Sequence, residues 1–174
     1  FFKAQLISFI ILTYKNNLNY NKIYGSYAGA MGAPQFMPES YIKLGVDYNN
    51  DGKVDLWNSK YDIYASIANY LNKKGWEKNQ KIYTDIVIKK KYIKEIFEAG
   101  DVRTVAIDND RLKKIIFKSK DIGSGKKYLA LLSKKNKKYK LVNNNFKIIM
   151  TYNISTFYAM VVANLSKEIA AGTW

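Results

Sequence analysis

Fourteen consecutive residues without a charge constrain this chain more than any other stretch: Gly25-Ser26-Tyr27-Ala28-Gly29-Ala30-Met31-Gly32-Ala33-Pro34-Gln35-Phe36-Met37-Pro38. A buried helix would carry Leu and Ile here, and an exposed loop would carry Lys and Asp. Three glycines and three alanines instead let the backbone approach another helix or a bulky ligand closely. Ser26 and Gln35 add hydrogen-bonding groups, and Tyr27 and Phe36 add flat apolar faces. That is the composition of a wall lining a groove for a sugar-like ligand. A short helix is expected around Tyr27–Met31, and a second beginning at Pro38, which suits a first helical position.

Bulk properties remove several classes of chemistry. The 174 residues include no Cys and no His, so disulfides, Cys/His zinc sites and His-assisted nucleophiles are excluded. Acid–base work falls to carboxylates, Tyr or Lys. The length is that of one domain, or of one domain with a small appendage. No run of about 18 apolar residues is present to span a membrane. Phe1–Leu12 is apolar but lacks a small-residue cleavage site, so it does not read as a signal peptide. Phe2, Leu6, Phe9 and Ile10 fall at helical spacing and predict a core helix over residues 2–17. With no initiator Met, the chain is expected to be a piece of a longer protein, cut on its N-terminal side. The net charge of +15 is concentrated: residues 78–140 hold 19 Lys and Arg against 7 Asp and Glu. This block is either a solvated surface or a module that meets an anionic polymer. No nucleic-acid-binding motif surrounds the lysines.

Further along, Asp47–Asn58 is expected to be a loop. Ser59-Lys60-Tyr61-Asp62 reads as a capping box for a helix with Ile63, Ile67 and Leu71 on its apolar side and Gly75 at its end. From residue 81 the pattern turns β-rich. Ile82–Ile88, Val102–Ile107, Ile115–Phe117 and Phe146–Met150 are expected as strands, Gly123-Ser124-Gly125 as a turn and Lys91–Ala99 as a short helix. A last helix over Thr156–Ala170 is capped by Ser155 or Thr156. The expected fold class is therefore α+β, a helical domain interrupted by a small antiparallel β insert. Residues 1–78 form the helical part, 79–149 the basic insert and 150–174 a helix returning to the helical domain.

Asp47-Tyr48-Asn49-Asn50-Asp51-Gly52-Lys53-Val54-Asp55 follows the first three-quarters of an EF-hand loop. Oxygen ligands fall at positions 1, 3, 5 and 9, Gly at 6, and the Lys53 carbonyl at 7. Asn58 stands where the standard loop has a bidentate Glu. The other reading is an Asx-rich turn that needs no ion.

The signature block, together with Ser40-Tyr41, Val46-Asp47, Asp51-Gly52, Asp55-Leu56-Trp57, Ala68-Asn69-Tyr70-Leu71 and Gly75-Trp76, resembles the membrane-bound lytic murein transglycosylase B family, glycoside hydrolase family 103. The likeness resumes at Asn145-Phe146, Thr151-Tyr152-Asn153 and Tyr158-Ala159-Met160. The resemblance implies a lysozyme-like helical domain, truncated at its N-terminal side, that binds peptidoglycan glycan strands and no nucleic acid. It implies cleavage between N-acetylmuramic acid and N-acetylglucosamine with a 1,6-anhydromuramic product. A bacterial periplasmic location follows, with any lipid anchor to the outer membrane lying outside this chain; a monomer is expected. Ser26, Gln35, Tyr70, Tyr152, Asn153 and Tyr158 match groove-lining positions. Read from the residues alone, Tyr70 and Tyr158 are equally core tyrosines, Asn153 a helix cap and Ser26 a cap in the signature block. The likeness also implies a structural Ca2+ held by Asp47, Asn49, Asp51 and Lys53, with Asp62 closing the loop from the next helix. The family uses one Glu as acid and base, at a position that would precede Phe1, so no catalytic residue is assigned. Glu39 is the nearest substitute, and Glu77, Glu95, Glu98 and Glu168 lack an apolar, ligand-facing context. A non-catalytic glycan-binding remnant and a calcium-binding interaction module are the competing readings.

Overall fold

Helix α1 (Phe2–Lys15) opens the chain and stops where Asn16 turns its side-chain amide back onto the Leu12 carbonyl, at 2.9 Å. The computed structural model describes residues 1–98, 104–119, 125–133 and 138–172. Of the expected elements, Ala99, Val102, Arg103, Gly123 and Ser124 lie outside the described residues. The chain divides into two compact units, Phe1–Lys74 and Gly75–Trp174.

In the first unit, α1 leads through a 3-10 turn (Tyr20–Lys22) into the signature block. Helix α2 (Pro38–Leu44) follows with Pro38 in its first turn, as expected, and α3 (Lys60–Lys73) closes the unit. Gln5 ties α1 to α2: its carbonyl accepts the Glu39 N–H at 3.3 Å and its amide donates to the Glu39 carboxylate at 3.2 Å. Leu12, Met31, Phe36, Tyr41, Leu56 and Tyr70 are buried here.

Helix α3 is capped by Ser59, whose hydroxyl accepts the Asp62 N–H, and ends before Gly75 at φ +91°. Its buried stripe is not the expected Ile63, Ile67 and Leu71, which are half-buried. It lies one residue back, at Asp62, Ser66 and Tyr70. The polar pair faces inward because both side chains hold loop amides: Ser66 accepts the Val46 N–H, and Asp62 accepts those of Tyr48 and Asp55, each at 2.9 Å. A satisfied polar group can occupy a buried position that an apolar one would otherwise take.

The second unit is built on a four-stranded antiparallel sheet of β1 (Tyr83–Thr84), β3 (Thr104–Ile107), β5 (Lys127–Ser133) and β6 (Lys138–Val142), in the order β1-β6-β5-β3. A separate two-stranded ribbon pairs β2 (Ile86–Ile88) with β4 (Ile116–Ser119). Helices α4 (Lys90–Glu98) and α5 (Asn109–Ile115) accompany the ribbon. Ile86, Ile88, Ile96, Leu112 and Ile115 pack with Leu129 and Leu141 of the larger sheet. Ala130 and Val142 of that sheet pack instead with Phe146, Ile149, Ala159 and Met160 of α6 (Asn144–Tyr152) and α7 (Thr156–Ala170).

The expected strand over Phe146–Met150 is thus corrected to helix. Asn143 caps it by accepting the Asn145 N–H, and Asn145, Phe146, Ile148 and Ile149 are buried at helical spacing. Tertiary burial overrides the β preference of the two isoleucines. Ser155, not Thr156, caps α7.

Candidate functional site

The signature block is a pair of linked turns rather than the expected short helix at Tyr27–Met31. Met31 forms bridges with Gly25 and with Phe36; its N–H donates to the Phe36 carbonyl at 2.8 Å, and the Phe36 N–H returns at 3.0 Å. Gly29 and Gly32, at φ +92° and +67°, occupy the left-handed region that a helix cannot use. A Cβ at Gly32 would stand 2.6 Å from the Leu56 carbonyl oxygen, so glycine is also required there by space. Ser26 holds the first turn, its hydroxyl accepting the Ala30 N–H at 3.1 Å.

This turn and α1 enclose a cleft of about 460 Å³. Phe2, Gln5, Leu6 and Phe9 form one wall, and Gly25–Gly29 with Met31 and Pro38 form the other. The reading of α1 as a core helix is corrected here. Phe2, Leu6 and Ile10 are exposed, Phe9 is half-buried, and Leu12 is the aliphatic residue turned fully inward. A helix with Phe2, Leu6, Ile7, Phe9, Ile10, Ile11 and Leu12 has more apolar surface than one core seam uses. That excess was the available signal for the cleft wall. Ser26 and the fully exposed Tyr27 stand at the rim.

Gln35 lies in the same block but does not line the cleft. It sits at φ +55°, and the other described non-glycine residues at positive φ are all Asn. Its amide donates to the Gly32 carbonyl at 3.0 Å. Tyr70 is buried, with its ring 5.8 Å from that of Phe36, and so occupies the core of the first unit. Tyr152, Asn153 and Tyr158 belong to the second unit. They gather at the corner where α6 and α7 meet at 111°, Asn153 exposed and both tyrosines half-buried. Asn153 is the residue at which α6 stops, and its carbonyl accepts the Ser155 N–H at 2.7 Å. Asn145 has a structural part that sequence reasoning did not assign. Fully buried, it accepts the Glu77 N–H at 2.9 Å and donates to the Glu77 carbonyl at 2.7 Å.

Glu39 is unsuited to donate a proton. Hydrogen bonds from Lys43 and Gln5, with the Lys43 charge, hold its carboxyl below the usual range. It is ionised at neutral pH, whereas a general acid must still carry its proton there. Glu95 is paired with Arg111 at 2.8 Å, and Glu77 and Glu168 are exposed.

The Asp47 loop closes on its own amides. The Asp47 carboxylate accepts the N–H groups of Asp51 and Gly52, and Asp51 accepts that of Lys53. Burial pushes the Asp62 carboxyl up, but the amides of Asp55, Tyr48 and Asn49 outweigh it and leave the group below its ordinary value. Burial, aided by the charges of Asp55 and Asp62, pushes the neighbouring Tyr41 phenol up to about 12. Among the described residues no three carboxylates converge as a metal site. The donor types still fit calcium, since each carboxylate retains lone pairs beyond those its amides use.

A family model for the transglycosylase SLT domain matches residues 1–167. The chain belongs to this family. Membrane-bound lytic murein transglycosylase B of Escherichia coli K12 is 31% identical over 98% of the chain and 46% of its own length. The structure is similar to E. coli lytic transglycosylase Slt35 in complex with calcium, with a TM-score of 0.79 and 27% identity over 97% of this chain and 53% of that one. It is likewise similar to SltB3 of Pseudomonas aeruginosa in complex with NAG-anhNAM-pentapeptide, with a TM-score of 0.76 and 28% identity over 92% and 44%. The chain thus spans about half the length of these relatives. The lysozyme-like α+β fold of lytic transglycosylases is the fold seen here. Among the described residues no single helix is long and apolar enough to cross a membrane.

Proposed function

We propose that this chain is the glycan-binding part of a peptidoglycan lytic transglycosylase of the bacterial periplasm. The reaction breaks the β-1,4 bond between N-acetylmuramic acid and N-acetylglucosamine. One carboxylic acid gives its proton to the glycosidic oxygen and then takes the proton of the muramic C6 hydroxyl. The ring closes to the 1,6-anhydro product without water, unlike the two-carboxylate hydrolytic schemes.

The observation that carries this reading is the cleft at the signature turn, with apolar Phe2, Leu6 and Phe9 and polar Lys3 and Gln5 on its α1 wall and Ser26 and Tyr27 at its rim. Apolar walls with a few placed polar groups suit a sugar, whose ring faces are apolar and whose edges are hydroxyls and amides. Ser26 would bond ring hydroxyl and N-acetyl groups at the cleft rim, and the exposed Gln35 would do so from outside the cleft. Tyr152, Asn153 and Tyr158 would serve glycan in the same way from the α6–α7 corner, whereas the buried Tyr70 is left to the packing of the first unit. Gln35 supports this further, because a residue held in a costly backbone region often marks a functional position. The complex of SltB3 with a peptidoglycan fragment supports the ligand class.

The lowered Glu39 carboxyl supports a division of labour in which this chain binds and orients the strand without supplying the acid. By itself the chain then acts as a binding module. We also assign a structural calcium to Asp47, Asn49, Asp51 and Asp62 with the Lys53 carbonyl, supported by the calcium complex of Slt35.

The test is incubation with purified peptidoglycan, followed by mass spectrometry and by calorimetry with soluble muropeptides. Muropeptide binding without anhydromuropeptide release is expected. Anhydro product would place the acid within this chain, with Glu39 the first residue to replace. Absence of binding would remove the groove assignment.

A further inference from the structure

The ribbon of the second unit carries a surface that glycan binding does not use. Segments Ile86-Val87-Ile88-Lys89-Lys90-Lys91 and Lys113-Lys114-Ile115-Ile116-Phe117-Lys118 hold six lysines and no carboxylate. The fold lays them side by side. Val87 pairs with Lys118, the Lys89 N–H donates to the Ile115 carbonyl at 2.9 Å, and the Lys89 ammonium donates to the Lys114 carbonyl at 2.7 Å. Ile86 and Ile88 face the core, so Val87 and its partner Lys118 face outward.

The register slips between Val87 and Ile88. Lys118 opposes Val87, Ile116 opposes Ile88, and Phe117 is the extra residue. Such a bulge re-aims a side chain. Phe117 is 75% exposed and Val87 48% exposed. An aromatic and a branched aliphatic side chain therefore project from the middle of a lysine cluster. Three of the nearby carboxylates are engaged, since Asp85 pairs with Lys140, Glu95 with Arg111, and Asp108 caps α5, while Asp110 is exposed near Lys114 and offsets one of the six lysine charges.

We propose that this outer face of the β2–β4 ribbon docks on an anionic lipid bilayer, with Phe117 and Val87 entering the headgroup boundary and the lysines meeting lipid phosphates. Charge complementarity selects an anionic partner. The two apolar tips select one with an apolar interior rather than a solvated polyanion. This proposal is independent of the transglycosylase reading, because none of its residues is a candidate glycan or calcium contact.

The full 174-residue chain is sedimented with vesicles of phosphatidylcholine alone or with about one-third phosphatidylglycerol. Binding to the anionic vesicles is expected, at least about tenfold weaker to the neutral ones, and falling as salt rises. Lys114→Ser and Lys118→Ser should each weaken partitioning by about fivefold. Phe117→Ser should weaken it severalfold, and Phe117→Leu should restore it. Lys22→Ser, in the first unit, should have no effect. Circular dichroism of each variant controls for folding. Equal binding to neutral vesicles, or none to anionic ones, would overturn the proposal. So would an unaltered Phe117→Ser variant, or tighter binding to a soluble polyanion such as single-stranded DNA with Phe117 dispensable.

Discussion

Single residues in the signature block separate a requirement for conformation from a requirement for space. Gly29 and Gly32 both lie in the left-handed region, but a Cβ at Gly29 meets nothing within 4 Å, whereas one at Gly32 meets the Leu56 carbonyl oxygen at 2.6 Å. Gly29→Ala should therefore cost about 1–2 kcal/mol, the conformational penalty alone. Gly32→Ala must also displace the Leu56 backbone that accepts the Ala33 N–H, and should cost more than Gly29→Ala. Urea denaturation of the two variants measures this, and equal losses would show that the Leu56 contact yields freely. Gln35 gives the reverse case. Gln35→Gly relieves a positive φ and should leave stability unchanged or raise it by up to about 1 kcal/mol. Losing a neutral hydrogen bond to glycan should at the same time weaken muropeptide binding by about three- to tenfold. Weaker folding with unchanged affinity would make Gln35 a structural amide.

At the scale of elements, the caps were legible and some faces were not. Pro38, Ser59 and Gly75 mark helix ends by local chemistry, and the structure uses each of them there. The inward face of α3 was misread because Asp62 and Ser66 count as polar until their partners, loop amides far along the chain, are known. Helix α6 was hidden by its isoleucines, and β6 by Lys138 and Lys140, whose charges mask an alternating pattern. The Asp47 loop was legible as a turn, with Gly52 at φ +85° as its position demands. Whether it also holds an ion is decided by titration. If it does, calcium at about 100 times its Kd stabilises the native state by about 2.7 kcal/mol and raises the melting temperature. Asp51→Ala should abolish that rise, with a smaller change in chelator. Identical wild-type melting curves with calcium and with chelator would leave the Asx turn as the whole account.

For the molecule as a whole, burial is organised around separate cores rather than one. The first unit buries Leu12, Met31, Phe36 and Leu56 among its helices and turns. The second places a sheet with an apolar cluster on each face: Leu129 and Leu141 serve the ribbon side, and Ala130 and Val142 the α6–α7 side. Alternation along β5 and β6 separates these clusters, because neighbouring residues on a strand point to opposite faces. Ile115 and Ile149, both nearly fully buried, therefore belong to cores on opposite sides of one sheet. Ile115→Val and Ile149→Val each remove one methylene and should each cost about 0.5–1.5 kcal/mol. With no shared neighbours, the two losses should add in the double variant to within about 0.5 kcal/mol. Urea denaturation of the wild type, both single variants and the double variant completes the cycle. A coupling above about 1 kcal/mol would mean that the sheet transmits packing strain from one face to the other, and the two clusters would have to be counted as a single core.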